Sequence, residues 1–259
     1  MLLAVDCGNI HTVLGLLEES GEMREVFRLE TNRKKTSFEY AASLSQILDL
    51  LSIARTEIHG VILASVVPQL TDTLQQAFRM VTGRQTLVVG AGVRTGLKLQ
   101  IDDPGTVAAD LVAAAVAAKN RLPLPAIIID MGTATTVTAV NAAGAYIGGA
   151  IMPGVQLSLN ALTAGTSLLP SIEVAAPKRV IASATVDSMR SGIIYGTAGS
   201  LDGLIDRFME QLPGVQSIVA TGELCHAICP FCRHKIELRE HLVLEGLYEI
   251  WKLSIRAQR

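Results

Sequence analysis

An α/β fold built from two similar domains facing a cleft is what this 259-residue sequence predicts, and three observations carry it. An apolar run ending in an acid and a glycine occurs twice, as Leu2–Val5 before Asp6 and Gly8 and as Ala126–Ile129 before Asp130 and Gly132. Asp6, Gly8, Thr12 and Val13 match Asp130, Gly132, Thr136 and Val137 at one constant offset, and the same order of elements follows each acid, which reads as a duplication. Hydrophobic residues make up 49% of the chain and aromatics only 4%, the balance of a packed α/β protein rather than a disordered or fibrous one.

Each element has its own signal. After each acid comes a second Val/Leu/Thr/Ala-rich run and a glycine turn, Ser20-Gly21 and Ala143-Gly144, as hairpins require. A third run follows in both halves, "MREVFRLET" and "AYIGGAIMP". "TSFEYAASLSQILDLL" has a hydroxyl start and apolar positions at helical spacing. "GVILASVVPQL" is an apolar strand stopped by Pro68, "TLQQAFRMV" a helix, "QTLVVG" a strand, and Thr106 to Asn120 a long alanine-rich helix. Helices near Val155–Ala164 and Val186–Gln211, a strand "SIVATG" and a final helix Leu242–Ala257 complete the second half. "KNRLPLP" at Lys119–Pro125 has linker chemistry and divides the chain into domains 1–118 and 119–259.

A formal net charge of -2 gives no electrostatic reason to expect nucleic acid or membrane as a partner. The apolar start is interrupted by Asp6 and lacks a basic flank, so no signal peptide is expected, and no apolar stretch approaches the roughly 20 residues of a membrane span. Four cysteines, three of them within Cys225 to Cys232, do not make a secreted disulfide framework, and the expected location is the cytoplasm.

A tight glycine turn after a buried strand exposes backbone N–H groups that cradle phosphate oxygens, and a neighbouring carboxylate holds a cation that neutralises them. Phosphoryl transfer needs mainly such positioning, plus one group that accepts the nucleophile's proton. Asp110 stands alone among small apolar residues in "TVAADLVAAAVAA" and is the candidate for that group, although an acid near a helix start is favoured by the dipole alone.

These residues resemble the type III pantothenate kinases, members of the superfamily of acetate and sugar kinases, heat-shock chaperones and actin. The resemblance runs through "DCGN" near the start, "SVVP" at Ser65–Pro68, "DP…AAD" at Asp103–Asp110 and "DMGTATT" at Asp130–Thr136. It continues with "GGAIMPG" at Gly148–Gly154, "LLP" at Leu168–Pro170, "SMRSGIIYG" at Ser188–Gly196, "ATG" at Ala220–Gly222 and "LEGL" at Leu244–Leu247. It implies two RNase H-like (actin-like ATPase) domains with mixed sheets facing a nucleotide cleft, and phosphorylation of pantothenate by ATP with Mg2+ and a monovalent cation, K+ or NH4+. The loop Asp6, Cys7, Gly8, Asn9, Ile10, His11, Thr12 and Val13 would then touch the ATP phosphates, with Asp6 near magnesium and Asp130 at the monovalent cation. Thr133 and Gly222 would contact the nucleotide. Asp110 would be the general base in a substrate-binding stretch with Ala108, Ala109 and Leu111, and Thr185 would reach the substrate across a homodimer interface.

The chain departs from the family pattern in a cluster. Ala108-Ala109-Asp110-Leu111 stands where relatives have Gly-Ala-Asp-Arg, and Leu111 cannot pair with the pantothenate carboxylate as that arginine does. Such a charge-assisted contact is worth about 1.5–3 kcal/mol. Ile101 replaces the usual tyrosine, Ile10 a threonine, Glu223 a glycine and Ala182 another glycine. Three readings follow: a neighbouring cation such as Lys98 or Arg190 replaces the arginine, the acceptor is a different and uncharged alcohol, or the chain is a regulatory paralogue that binds nucleotide.

"CHAICPFCRH" places Cys225, Cys229, Cys232 and His234 within ten residues, a set compatible with zinc, with reactive thiols, or with small hydrophobes in a core. "TNRKKTS" at Thr31–Ser37 reads as a solvated basic loop, and Trp251 as packing.

Overall fold

The first sheet grows from a three-stranded meander, β1 (Leu2–Cys7), β2 (His11–Leu17) and β3 (Met23–Glu30), in a computed structural model that describes residues 1–256. Helix α1 (Ser37–Leu50) follows, started by a capping box in which Thr36 accepts from the Glu39 N–H and the Glu39 side chain caps Thr36 in return. β4 (Gly60–Ser65), α2 (Pro68–Thr82) and β5 (Thr86–Val88) complete the order β3-β2-β1-β4-β5. The first two pairings are antiparallel and the last two parallel. Pro68 does not stop a strand here. It opens α2 at a first-turn position where its missing N–H is harmless, so the helix begins well ahead of "TLQQAFRMV".

The second sheet repeats this pattern. Before it come β6 (Lys98–Leu99) and α3 (Ala109–Arg121). β7 (Ala126–Met131), β8 (Ala134–Val140) and β9 (Ala145–Pro153) form the meander, followed by α4 (Val155–Ala164), α5 (Thr185–Gln211) and β10 (Ser217–Thr221). The short α6 (Cys225–Ile228) and β11 (Glu237–Leu238) precede the last helix, α7 (Leu242–Arg256). Ala257, expected in that helix, lies outside the described residues. The order β11-β10-β7-β8-β9-β6 matches the first sheet strand for strand, with β6 added beside β9. The pattern of burial agrees residue by residue between β1 and β7 and between β2 and β8. The duplicated α/β fold expected from the sequence is what forms.

The register corrects one detail of the repeat. Asp6 pairs with Val13 and Cys7 with Thr12, whereas Asp130 pairs with Thr136 and Met131 with Thr135. The loop of the second half is one residue shorter, so Thr135 and Thr136, not Thr136 and Val137, are the counterparts of Thr12 and Val13.

By its contacts the chain divides into two compact units. One comprises Met1–Gly96, Asp103–Asn120 and the last helix; the other comprises Leu97–Asp102 and Arg121–His241. This differs from the expected division into 1–118 and 119–259. α7 carries an apolar stripe that finds its partner on the first sheet, and linear order along the chain does not reveal that. The Tyr248 hydroxyl donates to the Glu19 carbonyl at 2.6 Å, and Trp251 covers Gly60 closely enough that a Cβ there would meet the indole at 2.0 Å. Gly246 lies against the Ala113 carbonyl of α3, where a Cβ would be 1.8 Å from the oxygen. Seven consecutive residues of α3, Val112 to Ala118, are buried, and their small size permits that approach.

In the first unit Leu3, Val5, Cys7, Leu14 and Leu16 pack with Tyr40, Leu44, Leu48, Leu70, Leu74 and Phe78 of α1 and α2. In the second, Ile127, Ile129, Met131 and Val137 pack with Ile194, Ala198, Leu201 and Ile205 of α5 and with Cys225, Ile228 and Cys229.

Candidate active site

Strand alternation aims Asp6. Leu3, Val5 and Cys7 face α1 and α2, so Ala4 and Asp6 face the other side. On that side Gly15, the partner of Ala4, meets Leu244 of α7. α7 in turn holds α3 through Gly246 and Ala113, and Asp110 lies one turn before Ala113. The half-buried Asp6 and the start of α3 therefore share one side of the first sheet. Asp6 lies at the carboxyl ends of the parallel strands β1 and β4, where open α/β sheets bind ligands.

The loop after Asp6 is closed by the Gly8 N–H donating to the His11 carbonyl at 3.0 Å, and a Cβ on Gly8 would stand at the same distance from that oxygen. Asn9 and Ile10 are exposed, Gly8 and His11 half-buried. Cys7 and Thr12 point inward instead. The Thr12 hydroxyl lies 2.8 Å from that of Thr31 and 3.6 Å from the Cys7 sulfur, and burial pushes the Cys7 thiol up. The strap after β3 braces this loop from outside: Thr31 N–H donates to the Ile10 carbonyl at 2.8 Å, and Arg33 Nη2 donates to Asn9 Oδ1 at 3.0 Å.

Asp110 occupies the first turn of α3, half-buried, with Oδ1 accepting the Leu111 N–H at 2.7 Å. Burial raises its pKa above the ordinary carboxylate range, and backbone hydrogen bonds from Leu111 and its own N–H offset part of that rise. Ala108, Ala109 and Leu111 are half-buried beside it and bring no charge.

In the second unit Asp130 sits at the end of β7 between Thr136 and Thr221. Gly132 and Thr133 are exposed in the loop that follows. Two distant glycines press on its backbone. A Cβ on Gly154 would lie 2.3 Å from the Thr133 carbonyl oxygen and 2.6 Å from that of Gly132. One on Gly222, whose φ is +91°, would lie 2.7 Å from the Met131 carbonyl oxygen. The Thr135 and Thr136 hydroxyls are buried and have no hydrogen-bond partner among the described residues. Thr185 is the exposed first residue of α5.

With both loops placed, the comparisons with known proteins bear on identity. The sequence signature described as type III pantothenate kinase matches residues 2–207. The chain belongs to the type III pantothenate kinase family. A type III pantothenate kinase of Moorella thermoacetica is 39% identical over 97% of this chain and 99% of its own, and that of Halalkalibacterium halodurans is 36% identical over 98% and 100%. A Clostridium difficile structure, the activator of 2-hydroxyisocaproyl-CoA dehydratase with bound ADPNP, aligns with a TM-score of 0.60 at 13% identity, over 99% of this chain and 97% of that one. That likeness shows the fold alone. Membership makes the chain a kinase of coenzyme A synthesis, and pantothenate kinases phosphorylate pantothenate with ATP.

The cysteine-rich segment takes no part in this arrangement. Cys225 and Cys229 are buried in the second core, and burial pushes their thiols up to about 11 and about 12; Cys232 is likewise pushed up to about 12. His234 is instead held by Asp206 at 2.7 Å, while Asp202 accepts the N–H groups of Arg233 and His234. No group of three or more His, Cys, Asp or Glu side chains suited to a metal ion occurs among the described residues. Sequence reasoning read the strap Thr31–Arg33 as part of a solvated basic loop and passed over the brace Gly154. Only the position of the strap, one residue after the third strand of the meander, marks it in the sequence.

Proposed function

We propose that this kinase transfers the γ-phosphoryl group of ATP to the primary hydroxyl of pantothenate, with Asp110 as general base. The observation that carries this is the Asp110 carboxylate: half-buried, raised in pKa, and on the same side of the first sheet as Asp6. A carboxylate of raised pKa is a stronger base than an ordinary one, which favours general-base catalysis. The Leu111 N–H holds its Oδ1 and leaves Oδ2 for the acceptor hydroxyl. Backbone N–H groups of the Gly8 loop would hold phosphate oxygens, and the family resemblance gives Thr133 and Gly222 a nucleotide contact.

The carboxylates present suit hard cations. Asp6 is half-buried at a strand end beside an open backbone turn, which fits magnesium. Asp130 lies directly across from Thr136, whose hydroxyl has no partner among the described residues, and this pair of oxygen donors fits K+ or NH4+. When bound, these ions neutralise phosphate charge that carboxylates alone would repel. Exposed Ile151, Leu168, Val180 and Ile181 in the second unit, at 76%, 91%, 58% and 87%, support a homodimer in which Thr185 reaches the partner's substrate. No described helix is long and apolar enough to cross a membrane, and we place the enzyme in the cytoplasm.

Leu111 favours a second reading, an uncharged alcohol as acceptor or a regulatory paralogue that binds nucleotide. Arg190, in the second unit, has a buried Nε with no hydrogen-bond partner and only a long 3.7 Å ion pair with Asp187 among the described residues. Steady-state kinetics of Asp110→Asn decide the base: kcat with pantothenate should fall by about 10²-fold or more while ATP affinity stays unchanged. An active Asp110→Asn enzyme would remove Asp110 from the mechanism.

A further inference from the structure

The basic strap after β3 is more than a solvated loop. Arg33 is exposed, yet one edge of its guanidinium is fixed on Asn9 at 3.0 Å, in the middle of the loop that follows Asp6. The strap itself is fixed on that loop by the Thr31 N–H to the Ile10 carbonyl and by the Thr31 and Thr12 hydroxyls. Among the described residues Asn9 is the only hydrogen-bond partner of Arg33, and no carboxylate pairs with it. Of the acids nearest the strap along the chain, Glu30 is exposed at the end of β3 and makes no ion pair with Arg33 among the described residues, and Glu39 is committed to the Thr36 N–H and hydroxyl at 2.7 and 2.9 Å. Those same bonds cap α1. Lys35 is drawn away over the Tyr40 ring at 5.6 Å, and Lys34 is exposed with no side-chain partner among the described residues.

We propose that Arg33 contacts the terminal phosphates of the bound nucleoside triphosphate and orients them over the Gly8 turn. A guanidinium offers five N–H donors in a rigid fork, and Asn9 occupies one; the others remain for phosphate oxygens, in the geometry that makes arginine a bidentate phosphate ligand. Asn9 fixes the fork before the nucleotide arrives, so little side-chain freedom is lost on binding. Lys34, the neighbouring cation of the strap, carries a similar charge without a hydrogen bond to the loop among the described residues. The inference rests on the nucleotide role of the Asp6 loop given above.

Calorimetric titration of ATP, ADP and AMP into wild type, Arg33→Gln, Arg33→Lys and Lys34→Gln, with magnesium present, tests it. Arg33→Gln should weaken ATP about ten-fold and ADP less, leaving AMP unchanged, with part of the loss recovered in Arg33→Lys. Lys34→Gln should bind ATP as wild type does. Equal losses for ATP and AMP would mean that Arg33 only shapes the loop, and would overturn the proposal. So would an equal loss in Lys34→Gln, which would reduce the effect to net charge, or a loss seen only in KM for pantothenate, which would move Arg33 to the acceptor's carboxylate. A wild-type enzyme that binds no ATP would instead overturn the nucleotide reading beneath the proposal.

Discussion

The two acid-glycine loops come from one pattern and are held in place by different means. The first is braced by side chains: Arg33 on Asn9, Thr31 on Thr12, and a strap hydrogen bond to Ile10. The second is braced by backbone against backbone, with Gly154 and Gly222 so close to residues 131–133 that neither has room for a Cβ. Their hydroxyls differ as well. Thr12 is satisfied, whereas its counterpart Thr135 and the neighbouring Thr136 have no partner among the described residues. Where the first acid faces Val13, the second faces Thr136. A side-chain brace leaves charge and donors at the rim of the loop, and a glycine brace leaves the rim bare and the loop rigid. Duplicated elements can thus keep one backbone path and diverge in what they offer a ligand.

Substitutions at the braces should separate the two loops clearly. Gly154→Ala forces a Cβ to 2.3 Å from a carbonyl oxygen, and we expect a loss of more than about 3 kcal/mol or no folded protein, read by chemical denaturation. Gly222→Ala adds a strained φ of +91° to a 2.7 Å clash and should cost nearly as much. Gly8→Ala in the first loop meets its carbonyl only at 3.0 Å and should lower stability by about 1–2 kcal/mol. If Gly8→Ala proved as damaging as Gly154→Ala, the contrast between the braces would fail. Thr31→Val removes one buried hydroxyl pair and should cost about 1 kcal/mol, with a larger effect on ATP affinity than on the melting temperature.

The smallest expected effect on stability has the opposite sign. The folded-state pKa of Asp110 is raised, so its ionised form is disfavoured in the fold: its contribution is favourable below the unfolded carboxylate pKa and is lost as pH rises through the raised value. Asp110→Asn should therefore raise the melting temperature slightly at pH 7 and not at pH 4, by differential scanning calorimetry, while removing turnover. A variant that melts lower at pH 7 than wild type would contradict the desolvation of that carboxylate.

The sequence made the acids legible because an apolar run ending in a lone carboxylate has few structural explanations, and one that recurs has fewer. It misaligned the strand after the second acid, since a single residue deleted from a loop leaves no trace in periodicity. The glycine braces were beyond it: Gly154 and Gly222 are far from Thr133 and Met131 along the chain, and only the folded backbone brings them into contact. The two-residue strands β6 and β11 are too short to show alternation, and α7 returns to the first sheet for a packing reason that no local pattern records. The cysteine spacing was compatible with a metal, with reactive thiols or with small core residues, and the fold places Cys225 and Cys229 on one face of a short helical turn, against the core.

The most direct test of the account is ADP release by the purified enzyme with ATP, magnesium and potassium, with and without pantothenate. The account predicts release that depends on pantothenate and disappears in Asp110→Asn. ATP binding with no pantothenate-dependent turnover would contradict it, and would make Leu111 the mark of a different acceptor or of a regulatory protein.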